Sequence, residues 1–574
     1  MAKRWIIEPP WEALEQAARQ WNLPPLLAQL LHLRGLGLGD RASDFLEPRL
    51  ADLLPPENVP GAVDAAQIIV DAVRAKKRIV LYGDYDVDGL AGVAVLWHLL
   101  TAAGGDVGFY VPHRIEEGYG LNADAVRSIV ESGGQLIVSV DCGITATGEA
   151  ALARQLGIPL VVTDHHQPDK TLPDADAIAH PTVGGSSDNP HLCGAGVAFK
   201  VAWAVARMLS GAQKVNARFR EILSESLPLV ALATVADVVP LIGENRIITH
   251  HGLAALKHSA HPGLRALIDS GGLSGNRISS YDVGFRLAPR LNAAGRMGHA
   301  RLALELLTRA DEHRAREIAV YLEEHNRSRK SLERKMVQQA RQLVQENGMD
   351  RDSCRGIVLA SDDWHAGIVG IVAARLTNQF HRPTVLICVD GEAGQGSARS
   401  VEHFDIYQAL AACSHHLDSF GGHAMAAGLR IQRSRIADFS AAFVQYANNH
   451  ITHVDLQPKL RLDAVVRLAD LELATVDAIE RLGPFGSGNP KPRLATDWVQ
   501  LHGEPRRVGA AAEHLQATFT DGAVVMRSIG FGLASVEAEL KQHRRCRLAV
   551  EPAINEFNGR RSPELRVLDF QFPS

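Results

Sequence analysis

Short apolar runs alternate with longer amphipathic segments between about residues 62 and 240. This alternation predicts strands and helices in turn, and repeated strand–helix units favour a largely parallel sheet in an α/β domain. A second, smaller α/β pattern covers about 350–452. The apolar runs that we interpret as strands of the first sheet are 78–82, 107–111, 136–140, 160–162 and 177–179.

The segment from about 309 to 347 is rich in charged residues and contains neither proline nor glycine, which predicts one long helix. Its recurring apolar positions are Ile318, Leu322, Leu332, Met336, Ala340 and Leu343. The alternative is an ordinary surface helix. Because the segment lies between two α/β patterns, we expect it to connect two lobes.

Beyond residue 453 the pattern changes to short alternating runs rich in β-formers, which predict a small barrel. These runs are 459–468, 515–519, 524–530 and 546–552. The chain is therefore expected to have five parts: a helical segment at 1–55, an α/β domain at 56–308, a connecting helix at 309–349, a smaller α/β domain at 350–452 and a β-barrel at 453–574.

The 574 residues carry a net charge of −5, so composition alone gives no sign of nucleic-acid binding. Any phosphate-binding surface must be a local groove lined with Arg and Lys. The six cysteines lie far apart without a Cys-x-x-Cys pair, which argues against a disulfide framework and a cysteine-type zinc site. Since no apolar stretch has the length of a signal peptide or a membrane span, we expect a cytoplasmic protein with no membrane partner.

Three carboxylates follow the first apolar run at alternate positions, Asp84, Asp86 and Asp88, and a glycine comes next. Alternate residues of an extended chain point the same way, so these acids would gather on one side. Carboxylates at such short distances from each other repel one another unless a cation lies among them. The simpler interpretation is an acidic turn, since Asp and Gly are common turn residues.

Other apolar runs also end in residues that can bind a metal. The run 136–140 leads into Asp141, and the run 160–162 is followed by Asp164, His165 and His166. A later run, 229–235, which could be helix or strand, reaches Asp237. Because ligands of open α/β sheets bind outside the carboxyl ends of the strands, these side chains are expected to converge on one metal centre.

The order of these residues resembles the DHH phosphoesterase superfamily, which is named after the Asp-His-His of its third motif, here residues 164–166. Residues 83–89, 140–144 and 233–241 resemble its first, second and fourth motifs. Residues 118–121, 194–199 and 289–296 are typical of the RecJ branch. Residues 396–400 and 420–428 resemble the accompanying DHHA1 domain, and RecJ relatives carry an oligonucleotide-binding (OB) barrel at the C-terminal end.

The resemblance implies a single-strand-specific 5′→3′ DNA exonuclease that releases 5′-mononucleotides and acts in DNA repair and recombination. It also implies two divalent ions, Mn²⁺ or Mg²⁺, and imidazole ligands favour Mn²⁺. The implied ligands and catalytic residues are Asp86, Asp88, Asp141, His165 and Asp237, with Asp141 bridging the two ions. His166 is expected at the scissile phosphate or the leaving group.

One position departs from the superfamily pattern. Where other members carry a histidine four residues before the first ligand aspartate, this chain has Tyr82. One ion is therefore expected to have fewer ligands or to use Asp84 as well. Asp164 is expected to orient a ligand histidine rather than to bind metal.

The resemblance also implies residues that hold the DNA. Glycine-rich turns with a nearby Arg, Ser or His suit an anion, and the candidates for capturing the terminal 5′-phosphate are Ser397, Arg399 and His423. The candidates for contacting flanking nucleotides are Arg114, Arg290, Asn292 and Arg296. Single-stranded DNA, a helicase and a single-strand-binding protein are the expected partners of a chain that is expected to be a monomer.

Two alternatives remain open at this point. One is a DHH/DHHA1 phosphodiesterase for short oligonucleotides, pAp or cyclic dinucleotides, whose members generally lack the RecJ-type motifs and the terminal β domain. The other is a repair or replication scaffold built on a degenerate DHH core. Such scaffolds lose metal ligands, whereas all the expected ligands are present in this sequence.

Overall fold

The computed structural model describes residues 3–113, 117–211, 214–296, 299–557 and 559–573, without the side chains of Arg296 and Phe557. A parallel-sheet domain, a long helix, a smaller α/β domain and a β-barrel follow one another, which confirms the predicted fold class. In the part of the chain that is described, no helix is long and apolar enough to cross a membrane.

The N-terminal segment is joined to the C-terminal region. It contains β1 (Arg4–Ile7), α1 (Leu14–Trp21), α2 (Pro25–His32) and α3 (Ala42–Leu46). Strand β1 pairs in parallel with Lys459–Leu462, and Leu27, Leu30 and Leu46 enter the hydrophobic core of the barrel. The sequence indicated a helical segment, but it gave no sign of the strand or of this association.

The first α/β domain begins with strands and helices in alternation. They are α4 (Ala62–Arg74), β2 (Arg78–Gly83), α5 (Val87–Ala102), β3 (Asp106–Tyr110), α6 (Ala123–Glu131), β4 (Leu136–Val140), α7 (Thr147–Gln155), β5 (Leu160–Thr163) and β6 (Ala177–Ala179). The strands form a parallel sheet in the order β3-β2-β4-β5-β6. The predicted strands agree with these bounds to within one residue at each end.

The register of this sheet aligns the carboxyl ends of β2, β4 and β5. Gly83 pairs with Val140, and Val140 pairs with Thr163. The residue that follows each of these three is an aspartate. Three acids therefore lie in a row at one edge of the sheet.

The rest of this domain is helical. Its elements are α8 (Gly194–Ser210), α9 (Ala217–Ala236), α10 (Gly243–Leu256), α11 (Pro262–Ser270), α12 (Ser280–Asp282), a π-helical turn (Val283–Leu287), α13 (Ala288–Arg296) and α14 (Ala300–Thr308). The run 229–235, which the sequence left open, is part of the helix α9. Helix α5 is apolar on nearly all sides because it packs between the sheet and α8 and α9.

Helix α15 (Glu312–Glu346) confirms the predicted long helix. Its 35 residues extend for about 52 Å at 1.5 Å per residue. Ile318 and Leu322 belong to the core of the first domain, whereas Met336 and Ala340 belong to the core of the next one. One helix thus contributes to both hydrophobic cores and connects the two domains.

The second α/β domain is smaller and mostly antiparallel. It contains β7 (Ile357–Ser361), α16 (Ala366–Phe380), β8 (Thr384–Asp390), β9 (Ala393–Arg399), α17 (Ile406–Ala412), β10 (Ser419–His423), β11 (Ala426–Gln432) and α18 (Ile436–His450). The strand order is β10-β11-β9-β8-β7, and β7 and β8 form the parallel pair.

The C-terminal region forms the predicted barrel. Its elements are β12 (Lys459–Leu462), β13 (Ala464–Val466), α19 (Leu473–Glu480), β14 (Leu494–Thr496), β15 (Val499–Leu501), β16 (Arg506–Val508), β17 (His514–Thr520), β18 (Val525–Gly530), α20 (Glu537–His543), β19 (Arg545–Phe557) and β20 (Arg560–Gln571). Strands β15, β17, β18, β20 and β19 pair in that order, and β19 pairs again with β15. This ring is the closed architecture of an OB-like barrel.

Candidate metal centre

The first three acids lie on a strand-to-helix turn rather than on an extended chain, which corrects the geometry that the sequence suggested. Helix α5 begins at Val87, and Asp86 caps it by accepting the backbone N–H groups of Asp88 (2.9 Å) and Gly89 (3.3 Å). A Cβ at Gly89 would lie 2.6 Å from the backbone of Asp84. The turn can close only with glycine at this position, and it directs the acids towards neighbouring segments.

The carboxylate of Asp88 is fixed by the N-terminus of α8. Its Oδ2 accepts the N–H of Gly194 and its Oδ1 accepts the N–H of Ala195, each at 2.7 Å. A helix N-terminus stabilises a negative charge. The close packing at this helix end also requires glycine at residue 194, because a Cβ there would lie 2.5 Å from Oδ1 of Asp141.

Asp141 occupies the centre of the row of acids. Its backbone has a left-handed conformation, with φ of 64°, and its side chain is almost completely buried. Its Oδ1 lies 3.2 Å from Nε2 of His165. Both atoms are buried, and neither has a hydrogen-bond partner in the described part of the chain.

Asp164 organises the Asp-His-His segment. Its Oδ1 accepts the backbone N–H groups of His165 (2.7 Å) and His166 (3.1 Å) and lies 2.8 Å from Nδ1 of His166. Its Oδ2 accepts the N–H of Ile144 at 2.9 Å. Burial opposes the charge of Asp164, but these hydrogen bonds together lower its pKa.

The two histidines have different surroundings. His165 Nε2 lies within 4 Å of three acids, Asp88 (3.7 Å), Asp141 (3.2 Å) and Asp237 (3.6 Å), and burial lowers the pKa of His165. Burial also opposes the charge of His166, but its bond to Asp164 raises its pKa to about 9. The ring that Asp164 orients is therefore that of His166.

The acids and histidines form three overlapping groups, and within each group one donor atom per residue lies within 4.8 Å of the others. The groups are Asp84, Asp86 and Asp141; Asp88, His165 and Asp237; and Asp141, His165 and His166. Sequence-distant residues thus share one site, as the positions of their motifs predicted. Asp141 belongs to two of the groups.

The electrostatics of the site favour a bound cation. Burial and neighbouring carboxylates raise the pKa values of Asp86, Asp141 and Asp237, the last to about 8. The buried Asp141 Oδ1 and His165 Nε2 atoms without hydrogen-bond partners offer lone pairs to the same space. Carboxylate and imidazole donors of this kind fit hard or borderline divalent cations such as Mn²⁺ and Mg²⁺.

Two tyrosines border the centre. Tyr82, which replaces the expected histidine, is fully buried and donates its hydroxyl to the carbonyl of Gly120 at 2.8 Å. Tyr119 places its hydroxyl 3.1 Å from Nδ1 of His166 and 3.2 Å from the carbonyl oxygen of Asp141. Sequence reasoning did not assign Tyr119 a role, although it lies within the segment 118–121 that was singled out.

The predicted DNA-contacting residues of the first domain have diverse surroundings. Asn292 Oδ1 accepts the N–H of Val87 at 3.0 Å, which ties α13 to the acidic turn. Arg290 is buried, lies 2.8 Å from Glu323 of α15 and donates to the carbonyl of Ser270. Its guanidinium therefore joins helices within the protein. Arg114 and the side chain of Arg296 lie outside the described residues.

The three predicted phosphate ligands of the second α/β domain lie on two strands, β9 and β10, that are separated by β11. Arg399 donates to Ser397 Oγ at 3.0 Å, and burial lowers the pKa of Arg399. Ala426 of β11 pairs with Arg399 of β9 on one side and with His423 of β10 on the other. The structure brings Ser397 and Arg399 into contact and places His423 at the exposed end of its strand.

Comparison with known families divides the chain in the same way. A model of the DHH family N-terminal domain matches residues 78–234, a model of the DHHA1 domain matches residues 355–449, and a model of the RecJ OB domain matches residues 462–569.

Individual relatives match over nearly the whole chain. The single-stranded-DNA-specific exonuclease RecJ of Bacillus subtilis is 36% identical over 570 residues, which cover 99% of this chain and 70% of that protein. The Escherichia coli protein of the same name is 33% identical over 577 residues and 98% of each chain. The crystal structure of RecJ from Thermus thermophilus in complex with Mn²⁺ superposes with a TM-score of 0.84 at 30% identity, covering 100% of this chain and 80% of that one.

The chain thus contains the DHH, DHHA1 and OB domains one after another, together with a cluster of acids and histidines. It aligns with RecJ proteins over nearly its whole length. It belongs to the RecJ family, a branch of the DHH family.

Proposed function

We propose that this protein is a single-strand-specific 5′→3′ DNA exonuclease that releases 5′-mononucleotides with the help of two divalent cations, Mn²⁺ or Mg²⁺. The observation that carries the proposal is the convergence of acids and histidines at the carboxyl edge of the parallel sheet. It is supported by relatives named single-stranded-DNA-specific exonuclease and by related structures that contain Mn²⁺ and Mg²⁺.

The acids and imidazoles have separate tasks in this proposal. Asp86, Asp88, Asp141, His165 and Asp237 would hold the cations, with Asp141 between them and Asp84 as a further ligand of one. When bound, two cations would lower the pKa of a water molecule and offset the negative charge on the phosphate. The N-terminus of α8 holds the carboxylate of Asp88 in a fixed orientation through two backbone N–H groups.

His166 is suited to the departing 3′-oxygen. Its Nδ1 faces Asp164, so a proton held there leaves Nε2 as a second donor. The raised pKa of His166, about 9, keeps the imidazolium form available at neutral pH before cations bind. We assign it the role of contacting the scissile phosphate or protonating the leaving group.

The direction of digestion is assigned to the second α/β domain. Ser397 and Arg399 are in contact, and His423 lies two strands away, at roughly 10 Å for a strand spacing of about 4.8 Å. These side chains would bind the terminal 5′-phosphate. Arg114, Asn292 and Arg296 would contact flanking nucleotides, whereas the engagement of Arg290 with Glu323 favours a structural role for that residue.

The wider setting is also part of the proposal. All six cysteines are free, which supports a reducing, cytoplasmic location. An enzyme restricted to single strands needs another protein to open duplex DNA, which supports a helicase and a single-strand-binding protein as partners of a monomeric nuclease. The matched OB domain favours long strands over pAp or cyclic dinucleotides.

The test is digestion of one long single strand, labelled at its 5′ end or at its 3′ end, with Mn²⁺ or with EDTA. Labelled mononucleotide should appear at once from the 5′-labelled strand and late from the 3′-labelled strand, and only with Mn²⁺. A dinucleotide measured in parallel separates this activity from that of a short-substrate phosphodiesterase, which would prefer the dinucleotide.

A further inference from the structure

Two exposed aromatic rings of the first domain lie against each other, one on α12 and the other on the π-helical turn that follows it. Tyr281 is 65% and Phe285 is 63% exposed, and their ring centroids are 4.6 Å apart at an interplanar angle of 28°. Aromatic rings of this size are costly to expose, and π-helical turns occur frequently at functional sites. The pair is not used by the metal centre.

This pair lies between the acidic centre and the C-terminal barrel. The π-turn continues directly into α13, so Phe285 precedes Asn292 by roughly 10 Å at about 1.5 Å per residue. Asn292 binds the backbone between Asp86 and Asp88. On the other side of the pair, Ser280 Oγ donates to the carbonyl of Phe485, in the loop that precedes β14.

The same loop also contacts the last segment of the metal centre. The backbone N–H of Leu241, four residues after Asp237, donates to the carbonyl of Ser487 at 2.8 Å. The segment that carries the aromatic pair is therefore tied on one side to the acidic turn and on the other side to a loop that leads into the barrel.

The surroundings of the rings suit a nucleic acid better than an apolar protein surface. Ser279, Asp282 and Arg286 are the polar neighbours of the pair, and Arg277 is exposed four residues before Tyr281. The charge of Asp282 is satisfied by hydrogen bonds from Ser279 and by Arg286 at 3.4 Å. Two flat rings flanked by polar side chains and an exposed arginine are typical of sites that stack bases and contact the backbone of a single strand.

We propose that Tyr281 and Phe285 form a stacking platform for bases on the 3′ side of the phosphate that is cleaved. A separation of roughly 10–16 Å from the acidic turn corresponds to about three to five nucleotides at about 3.4 Å per stacked nucleotide. The platform rests on the proposed exonuclease function and adds to it a means of holding the strand between successive cleavages. Its occupant is the base portion of the DNA, independent of base identity.

The test compares two double variants that keep apolar side chains of similar size. Tyr281→Leu with Phe285→Leu removes both aromatic faces, whereas Tyr281→Phe with Phe285→Tyr keeps them. Binding of fluorescein-labelled oligothymidylate is measured by anisotropy in EDTA, where no digestion occurs. We expect the leucine variant to bind roughly tenfold to a hundredfold more weakly and the aromatic variant to bind within about threefold of the natural protein.

A second measurement locates the contact on the DNA. Single 5-iodouracil substitutions are placed at successive positions from the 5′ end, and the strands are irradiated with the protein. Crosslinks to the peptide that contains Tyr281 and Phe285 are expected from internal positions and not from the 5′-terminal nucleotide. Unchanged affinity of the leucine variant, or crosslinks to that peptide from the terminal nucleotide alone, would overturn the proposal.

Neither measurement depends on catalysis. A natural protein that binds and crosslinks at this platform but fails to release mononucleotides with Mn²⁺ would contradict the proposed function while supporting the platform. Normal digestion by the natural protein, together with unchanged affinity of the leucine variant, would contradict the platform while supporting the proposed function.

Discussion

The carboxylate of Asp88 and the backbone of Gly194 are in direct contact, at 2.7 Å, although they are 106 residues apart in sequence. The contact brings the N-terminus of α8 to the acidic turn, where the side chain of Asp141 leaves no room for a Cβ at residue 194. It connects a conspicuous acidic motif with a glycine-rich segment whose purpose the sequence does not reveal.

Replacing Gly194 with alanine should therefore damage the centre without unfolding the protein. The new Cβ would lie 2.5 Å from Oδ1 of Asp141, and a displacement of about 1 Å in such a site costs about a hundredfold in rate. We expect kcat for digestion of a long single strand to fall by about that factor. Gly148→Ala is the matched control, because a Cβ there meets nothing within 4 Å; equal effects of the two substitutions would contradict this account.

Asp141→Asn should have opposite effects on activity and stability. Asp141 is proposed to hold cations that stabilise the charge of the transition state by several kcal/mol. Its replacement should therefore lower kcat about a thousandfold or more. Burial and neighbouring acids raise the pKa of Asp141, so neutralising it removes repulsion and should raise the melting temperature of the cation-free protein by a few degrees. Near-normal turnover with Mn²⁺ would remove Asp141 from the proposed bridging position.

The stability of the cation-free protein should decrease as the pH rises. Asp237 has a pKa of about 8 in the folded state, above its value in the unfolded chain. Between about pH 4 and 8 the folded state therefore binds more protons than the unfolded chain. The free energy of unfolding falls as the pH rises through this range, and the stabilising contribution of Asp237 is lost once the pH has passed 8. Asp86 and Asp141, whose pKa values are also raised, act in the same direction, whereas His165 opposes them.

Thermal unfolding measured from pH 5 to pH 9 checks this expectation. In EDTA, the melting temperature should fall across the range, whereas saturating Mn²⁺ should flatten the upper part of the curve by supplying the missing positive charge. A profile in EDTA that is flat or rising above pH 6 would show that the acids are not destabilising when ionised.

His166→Gln should separate chemistry from cation binding. The substitution removes the imidazole that Asp164 orients and leaves the acids and His165 in place, so kcat should fall by about a hundredfold or more while Mn²⁺ affinity, measured by calorimetry, stays within about threefold. His165→Gln is the comparison and should weaken Mn²⁺ binding itself. Loss of Mn²⁺ affinity in His166→Gln would identify His166 as a ligand.

Arg399→Ala should reduce the preference for strands that carry a 5′-phosphate. The guanidinium lies beside Ser397, and a hydrogen bond to a charged group contributes about 1.5–3 kcal/mol. We expect kcat/KM to fall about tenfold to a hundredfold for phosphorylated ends and much less for hydroxyl ends. Arg435→Ala, which removes an exposed arginine of the same domain, serves as control. An equal loss on both kinds of end would argue against a terminal-phosphate site.

Much of the fold and of the metal centre is encoded in local sequence. The five strands of the first sheet follow from apolar runs, and Asp141, Asp164 and Asp237 are each recognisable because they end an apolar run. Parallel strands share one carboxyl edge, so local patterns suffice to predict that such residues meet. The long helix follows equally from the absence of proline and glycine over 35 residues.

The order of apolar and polar residues is thus enough to predict which elements form and which residue types gather at one edge of a sheet. The folded structure was needed to show that Gly194 supports Asp88, that Tyr119 reaches His166, that Arg290 is buried against Glu323 and that β1 pairs with β12. These contacts join residues distant in sequence through the packing of helices and chain ends. Periodicity fixes the direction of a side chain relative to its own element, but only packing fixes the position of one element relative to another.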